Sequence, residues 1–148
     1  MIESTSRADV ANAERFERIG IAADAESASR IREEFAGWLE RFFDLDPILS
    51  SDLVLAINEA LANSAEFAYA TAGRRGTMDL RAHYDPDSTS LTVTISDQGV
   101  WRTPDPNPAT RARGRGIPLM EALSDRVAIE TSTAGTQVRM QWDGVPRG

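Results

Sequence analysis

The hydrophobic period of this chain changes once, across Gly73–Gly76: apolar residues recur every three or four positions before it and every two after it. Those are the periods of helix faces and of strand faces. Upstream, Asp24 is a helix N-cap, and 25–43 carries a buried face of Ala28, Ile31, Phe35, Trp38, Leu39 and Phe42. Asp44-Leu45-Asp46-Pro47 ends that helix. A second helix is expected from Ser50 or Ser51 to about Tyr69, with Val54, Ile57, Leu61, Ala65 and Ala68 as its stripe. Downstream, Met78, Leu80, Ala82 and Tyr84 alternate with polar residues, as do Leu91, Val93 and Ile95, and Asp85-Pro86-Asp87-Ser88 turns between the two runs. Ile117–Leu123 reads as a short helix, and Val127–Ile129 with Val138–Trp142 as a hairpin around Ala134-Gly135. With an edge strand at Phe16–Ile21, the pattern predicts a two-layer α+β sandwich: a mixed, mostly antiparallel sheet with helices on one face.

At 148 residues the chain fits one domain, with a loose lead-in over 1–13 and a linker-like tail over 143–148. Its net charge of −7 argues against direct nucleic-acid binding, which calls for a basic face. No apolar run approaches the roughly 20 residues of a membrane span. The absence of cysteine, and an N-terminus without a secretory layout, make a cytoplasmic location the expectation. A single histidine, His83, leaves little room for a zinc cluster or a His-based triad.

Four signals carry chemistry, and each has an ordinary structural reading beside it. Glu59 and Asn63 lie one helical turn apart on one face, where a carboxylate can take a proton and an amide oxygen suits a hard cation. They would equally suit a solvated helix face. Asp97 continues the Leu91, Val93, Ile95 series and should point inward, where a carboxylate needs a donor such as an amino group. Gly99 follows it, and a strand-end Asp capping its own turn is the alternative. Arg113-Gly114-Arg115-Gly116-Ile117-Pro118 places a glycine pair before a helix start, a phosphate-binding arrangement or simply a cap. Thr136, after Gly135, shares the inward side of Val138, Met140 and Trp142, and a buried hydroxyl wants a partner.

Taken in order, Glu59-Ala60-x-x-Asn63, Asp97-x-Gly99, Gly114-x-Gly116 and Gly135-Thr136 resemble the ATP-binding boxes of the GHKL superfamily. Within it the likeness is to anti-sigma-factor serine kinases of the RsbW and SpoIIAB type, over about Ile19 to Trp142. The resemblance implies a histidine-kinase-like ATPase fold, with Mg²⁺ held by Asn63 and Glu59 as the base. Asp97 would accept from the adenine amine with Gly99 and Thr136 nearby, under an ATP lid over 98–116. Arg113, Gly114, Arg115, Gly116 and Ile117 would close that lid on the nucleotide. The implied acceptor is a serine of a STAS-domain anti-sigma antagonist, with a sigma factor and a second copy of the kinase as further partners.

Two positions depart from the family pattern: Phe67 stands for the His of a His-Ala-Tyr triplet, and Trp101 for the second Gly of Asp-x-Gly-x-Gly. Other functions remain open. The chain could be a nucleotide-responsive partner-switching module with little phosphotransfer, or a domain of a larger regulator. A histidine-kinase catalytic domain is the third, against which His83 lies on the polar side of its strand and no His-bearing dimerisation helix is evident.

Overall fold

The computed structural model describes residues 13–72, 76–97, 116–132 and 135–148. Asp24 caps the first helix as expected, accepting from Ser27 N at 2.7 Å, and α1 (Ala25–Phe42) follows the strand β1 (Arg15–Ala22). The second helix, α2 (Pro47–Ala72), starts earlier than Ser50 and ends later than Tyr69. Asp46 is its cap, accepting from Leu49 N at 2.8 Å, and Pro47 stands in its first turn, where a missing N–H has no cost. The residues that stop α1 therefore also start α2. Its buried face is Leu53, Ala56, Ile57, Ala60 and Leu61, while Val54 is only half-buried, as is Phe42 at the end of α1.

Four further strands and a short helix complete the order: β2 (Thr77–Asp85), β3 (Ser90–Asp97), α3 (Gly116–Leu123), β4 (Arg126–Ser132) and β5 (Gly135–Trp142). The sheet runs β1-β2-β3-β5-β4, and each neighbouring pair is antiparallel, so the expected mixed sheet has no parallel pair among the described residues. Between Arg18 and Ile21 the β1–β2 register shifts, and Gly20 sits at φ +67° with its N–H donated to Asp79 Oδ1 at 2.7 Å. A bulge with glycine in the left-handed region is the usual solution for one extra residue in a ladder.

One face of the sheet is covered. The helix α1 packs on β1 and α2, and α2 packs on β2, β3 and α3. Met78, Leu80, Tyr84, Leu91, Val93 and Ile95 meet this helical layer, whereas Arg81, His83 and Arg139 on the opposite face are exposed. An edge-to-face chain of rings, Trp38–Phe43 at 5.0 Å and Phe43–Tyr84 at 4.9 Å, joins the end of α1 to β2. Such pairs contribute about 0.5–1.5 kcal/mol each beyond the area they bury.

The segment read as a linker-like tail, 143–148, is folded onto this layer. Val145 is fully buried, its N–H donates to Thr89 O at 2.9 Å, and its carbonyl accepts from Tyr84 Oη at 2.6 Å. Gly148 N then donates to Phe42 O at 2.9 Å.

Candidate functional site

Strand alternation delivers Asp97 and Thr136 to the same side of the sheet, and the register sets them directly opposite each other across β3 and β5. Both are buried, Asp97 at 7% exposure and Thr136 at 3%, at the strand ends rather than in the middle of the core. On the other side of Asp97 the register partner is Met78 of β2, an apolar neighbour. Gly135 enters β5 at φ +146°, a backbone setting that L side chains rarely adopt, and this fixes the approach of Thr136.

The Thr136 hydroxyl makes no hydrogen bond among the described residues. A buried polar atom left unpaired costs about 1–3 kcal/mol, and native folds keep few of them. Thr136 lines a cavity of about 390 Å³ together with Asp97 and Gly135, with Glu130 and Thr131 on the β4 side. That volume lies within the roughly 300–1,000 Å³ of ordinary small-molecule sites. Ser96 and Gln137 complete the wall. Of these, Glu130, Thr131, Ser96 and Gln137 are not signalled by sequence: they enter through the β3–β5 and β4–β5 registers, which pair Ser96 with Gln137, Glu130 with Gln137, and Thr131 with Thr136.

Glu59 and Asn63 lie on α2 in the helical layer, both half-buried. Ala60 and Ser64 between and beside them are buried, which seats this part of the helix against the core. Because α2 packs on both β3 and α3, the helix bearing Glu59 and Asn63 meets the strand that ends in Asp97 and the helix that opens at Gly116. Gly116, expected as the last lid residue, is the first residue of α3. The far end of α3 is tied to β5 by Trp142 Nε1, which donates to Leu123 O at 2.7 Å, and Met120 is buried beneath it. Gly99, Trp101, Arg113, Gly114 and Arg115 lie outside the described residues, as do the side chains of Phe67, Tyr69 and Ile117.

An antiparallel sheet under one helical layer, with a buried carboxylate and a buried threonine lining a cavity at its strand ends, defines an α+β sandwich with a polar cavity at the end of its sheet. The family follows from sequence: the histidine kinase-like ATPase domain model matches residues 21–142, and the chain belongs to that family. Among solved structures, the RsbU and RsbW domains of Rv1364c from Mycobacterium tuberculosis superimpose with a TM-score of 0.69 at 23% identity, over 90% of this chain and 33% of that one. The blue-light activated histidine kinase EL346 from Erythrobacter litoralis gives 0.52 at 20% identity, over 70% of this chain and 32% of that one. The histidine kinase domain of the same protein gives 0.55 at 18%, over 82% and 59%. These likenesses establish the fold, and the chain spans only a third of the first two. ATP is the ligand this family implies, and the donor set fits it: a buried acceptor for an exocyclic amine beside a hydroxyl in need of a partner.

Among the described residues no three carboxylate or imidazole groups come together as a metal site, and no helix is long and apolar enough to cross a membrane.

Proposed function

We propose that this chain binds ATP with the adenine against Asp97 and Thr136, and that it is a serine protein kinase and anti-sigma factor. The single observation behind the nucleotide pose is that buried Asp97 and buried Thr136, whose hydroxyl makes no hydrogen bond among the described residues, line one cavity. Asp97 accepts from the adenine amine, and Thr136 donates to or accepts from the ring edge. On α2, the Asn63 amide oxygen holds Mg²⁺ and Glu59 takes the proton of the attacking serine hydroxyl. Gly99 allows the backbone to approach the base, and Gly114 and Gly116 offer N–H groups to the phosphates where α3 begins. In this reading Arg113 and Arg115 add charge toward the phosphates, and Ile117 belongs to the same nucleotide-binding set. Bound MgATP supplies the transferable phosphoryl group.

The acceptor in this reading is a serine on a STAS-domain antagonist, whose modification returns the kinase to its sigma factor. A homodimer in the cytoplasm is the expected state. Support comes from the order of the boxes along the chain and from the fold shared with a chain carrying an RsbW domain. That the chain spans 33% of that neighbour favours a second reading, a nucleotide-responsive module within a larger regulator.

Calorimetric titration with ATP, with and without Mg²⁺, tests the pose. Asp97→Asn should abolish binding while the circular dichroism of the fold is kept; unchanged affinity would remove Asp97 from the site. Asn63→Ala should lose the Mg²⁺-dependent part of binding. Glu59→Ala should retain ATP and lose phosphotransfer to a purified STAS partner by about 10²–10⁴-fold, the usual weight of a general base. Full transfer by that variant would show that Glu59 is not the base, whereas a wild type that binds ATP and transfers nothing would leave the second reading standing.

A further inference from the structure

A cavity of about 550 Å³ lies along the outer strand β1, two strands away from the β3 strand that carries Asp97, and between β1 and helix α1. Its floor is aromatic, made of Phe16, Trp38 and Phe42 around Gly37. Gly37 is the informative residue. Glycine in a helix interior costs about 1 kcal/mol relative to alanine, and here nothing lies within 4 Å of where a Cβ would stand. No close packing in the fold calls for glycine; its effect is to keep the groove open.

The rim is charged. Arg18 is committed to Glu34 at 2.6 Å and lies over the Phe16 ring at 4.2 Å. Arg15 and Arg41 line the same groove without a carboxylate partner among the described residues, and Arg41 rests against the Phe42 ring at 5.2 Å. A surplus of cationic groups over Glu17 thus faces the groove in a chain of net charge −7. Among the described residues β1 pairs only with β2, which leaves its outer edge open, and the Glu17 carbonyl accepts from the side chain of Arg18 at 2.8 Å. From Glu34 to Phe42 a helix rising about 1.5 Å per residue spans about 12 Å. That matches about four residues of extended chain at about 3.3 Å each.

We propose that this groove takes an extended acidic peptide of a partner protein, added as a strand to the edge of β1. An apolar side chain of the peptide lies over Gly37 on the Trp38 and Phe16 rings, and a carboxylate lies between Arg15 and Arg41. Main-chain hydrogen bonds to an open strand edge, with a helix and an apolar floor alongside, are the general means of recognising a peptide in this way.

The probe is a displayed library of random heptapeptides, selected on the full chain, with the recovered peptides synthesised and titrated by fluorescence polarisation. Peptides alternating apolar residues with Asp or Glu are expected. Gly37→Leu should bind them roughly tenfold more weakly, with an unchanged or raised melting temperature because leucine is the better helix former. The double variant Arg15→Glu, Arg41→Glu should show a similar loss. ATP titrations of these variants should match the wild type, so a failure here is separable from a failure of the nucleotide site. Recovery of basic peptides, or of none, or equal binding by Gly37→Leu, would overturn the proposal. So would a wild type that self-associates through this groove, seen by sedimentation and lost in Gly37→Leu, because the occupant would then be a second copy.

Discussion

At the scale of single residues, the proposed site rests on Asp97 and Thr136, two buried polar side chains opposite each other in the register. Asp97 is a carboxylate at the end of an otherwise apolar series, and Thr136 is a buried hydroxyl with no partner for Oγ1 among the described residues. An unpaired buried hydroxyl such as that of Thr136 weakens the protein alone, a cost offset when a ligand satisfies it. Thr136→Val keeps the shape of the side chain and removes the unpaired oxygen. It should raise the stability of the nucleotide-free protein by up to about 1 kcal/mol in urea titrations while weakening ATP binding roughly tenfold. A variant that loses stability and keeps ATP affinity would mean the hydroxyl serves the fold. Gly135→Ala makes the complementary case. At φ +146° the alanine is strained, and a loss of about 1–3 kcal/mol is expected.

At the scale of elements, capping decides where the helices lie, and each cap has a measurable weight. Asp46→Ala removes the acceptor of the Leu49 N–H at 2.8 Å and should lower stability by about 1 kcal/mol in urea, while the urea dependence itself stays the same. The sequence carried this cap but did not distinguish it from the end of the preceding helix. A proline cannot continue a helix, yet it suits a first turn, so Asp46-Pro47 reads either way until the packing of Leu53 and Ile57 is known. The strands were more legible. Their two-residue period runs unbroken from Leu91 to Asp97 and from Thr136 to Trp142, so the inward direction of both site residues follows from alternation alone. Which residues wall the cavity does not. Glu130 and Thr131 reach it only through the pairing of β4 with β5, and register depends on partners distant in sequence. The tail misled for a related reason: one valine among glycine, proline and charge has no period, although Val145 is buried completely.

At the scale of the whole molecule, that buried valine makes the ends of the fold depend on one another and gives the protein a pH-sensitive clasp. Tyr84 is fully buried on β2, donates to the Val145 carbonyl, and packs at 4.9 Å on Phe43 beyond the end of α1. Burial pushes its phenol above the ordinary value of 10.0; nearby Arg147 acts the other way and Asp85 adds to the rise. On the acid side, hydrogen bonding from Gln141 and Ser90 and the Arg126 charge hold the exposed Asp143 carboxyl below its ordinary 3.8. A group whose folded value is depressed stabilises above its unfolded value and loses that contribution as pH falls, so Asp143 changes the stability only on the acid side and leaves the alkaline range unaffected. Tyr84 has the opposite sign. Its neutral form is favoured in the fold, so the stability it contributes is complete below about pH 10 and is lost as pH rises through the raised folded value. Melting temperatures measured from pH 8 to pH 11.5, a span of roughly 3–4 units chosen to bracket tyrosine titration, should therefore fall more steeply for the wild type than for Tyr84→Phe. The variant begins lower by about 1–3 kcal/mol, because it leaves the Val145 carbonyl unpaired, and the two curves converge in alkali. Parallel curves would show that the Tyr84 hydroxyl is not what fastens the C-terminal segment to the sheet.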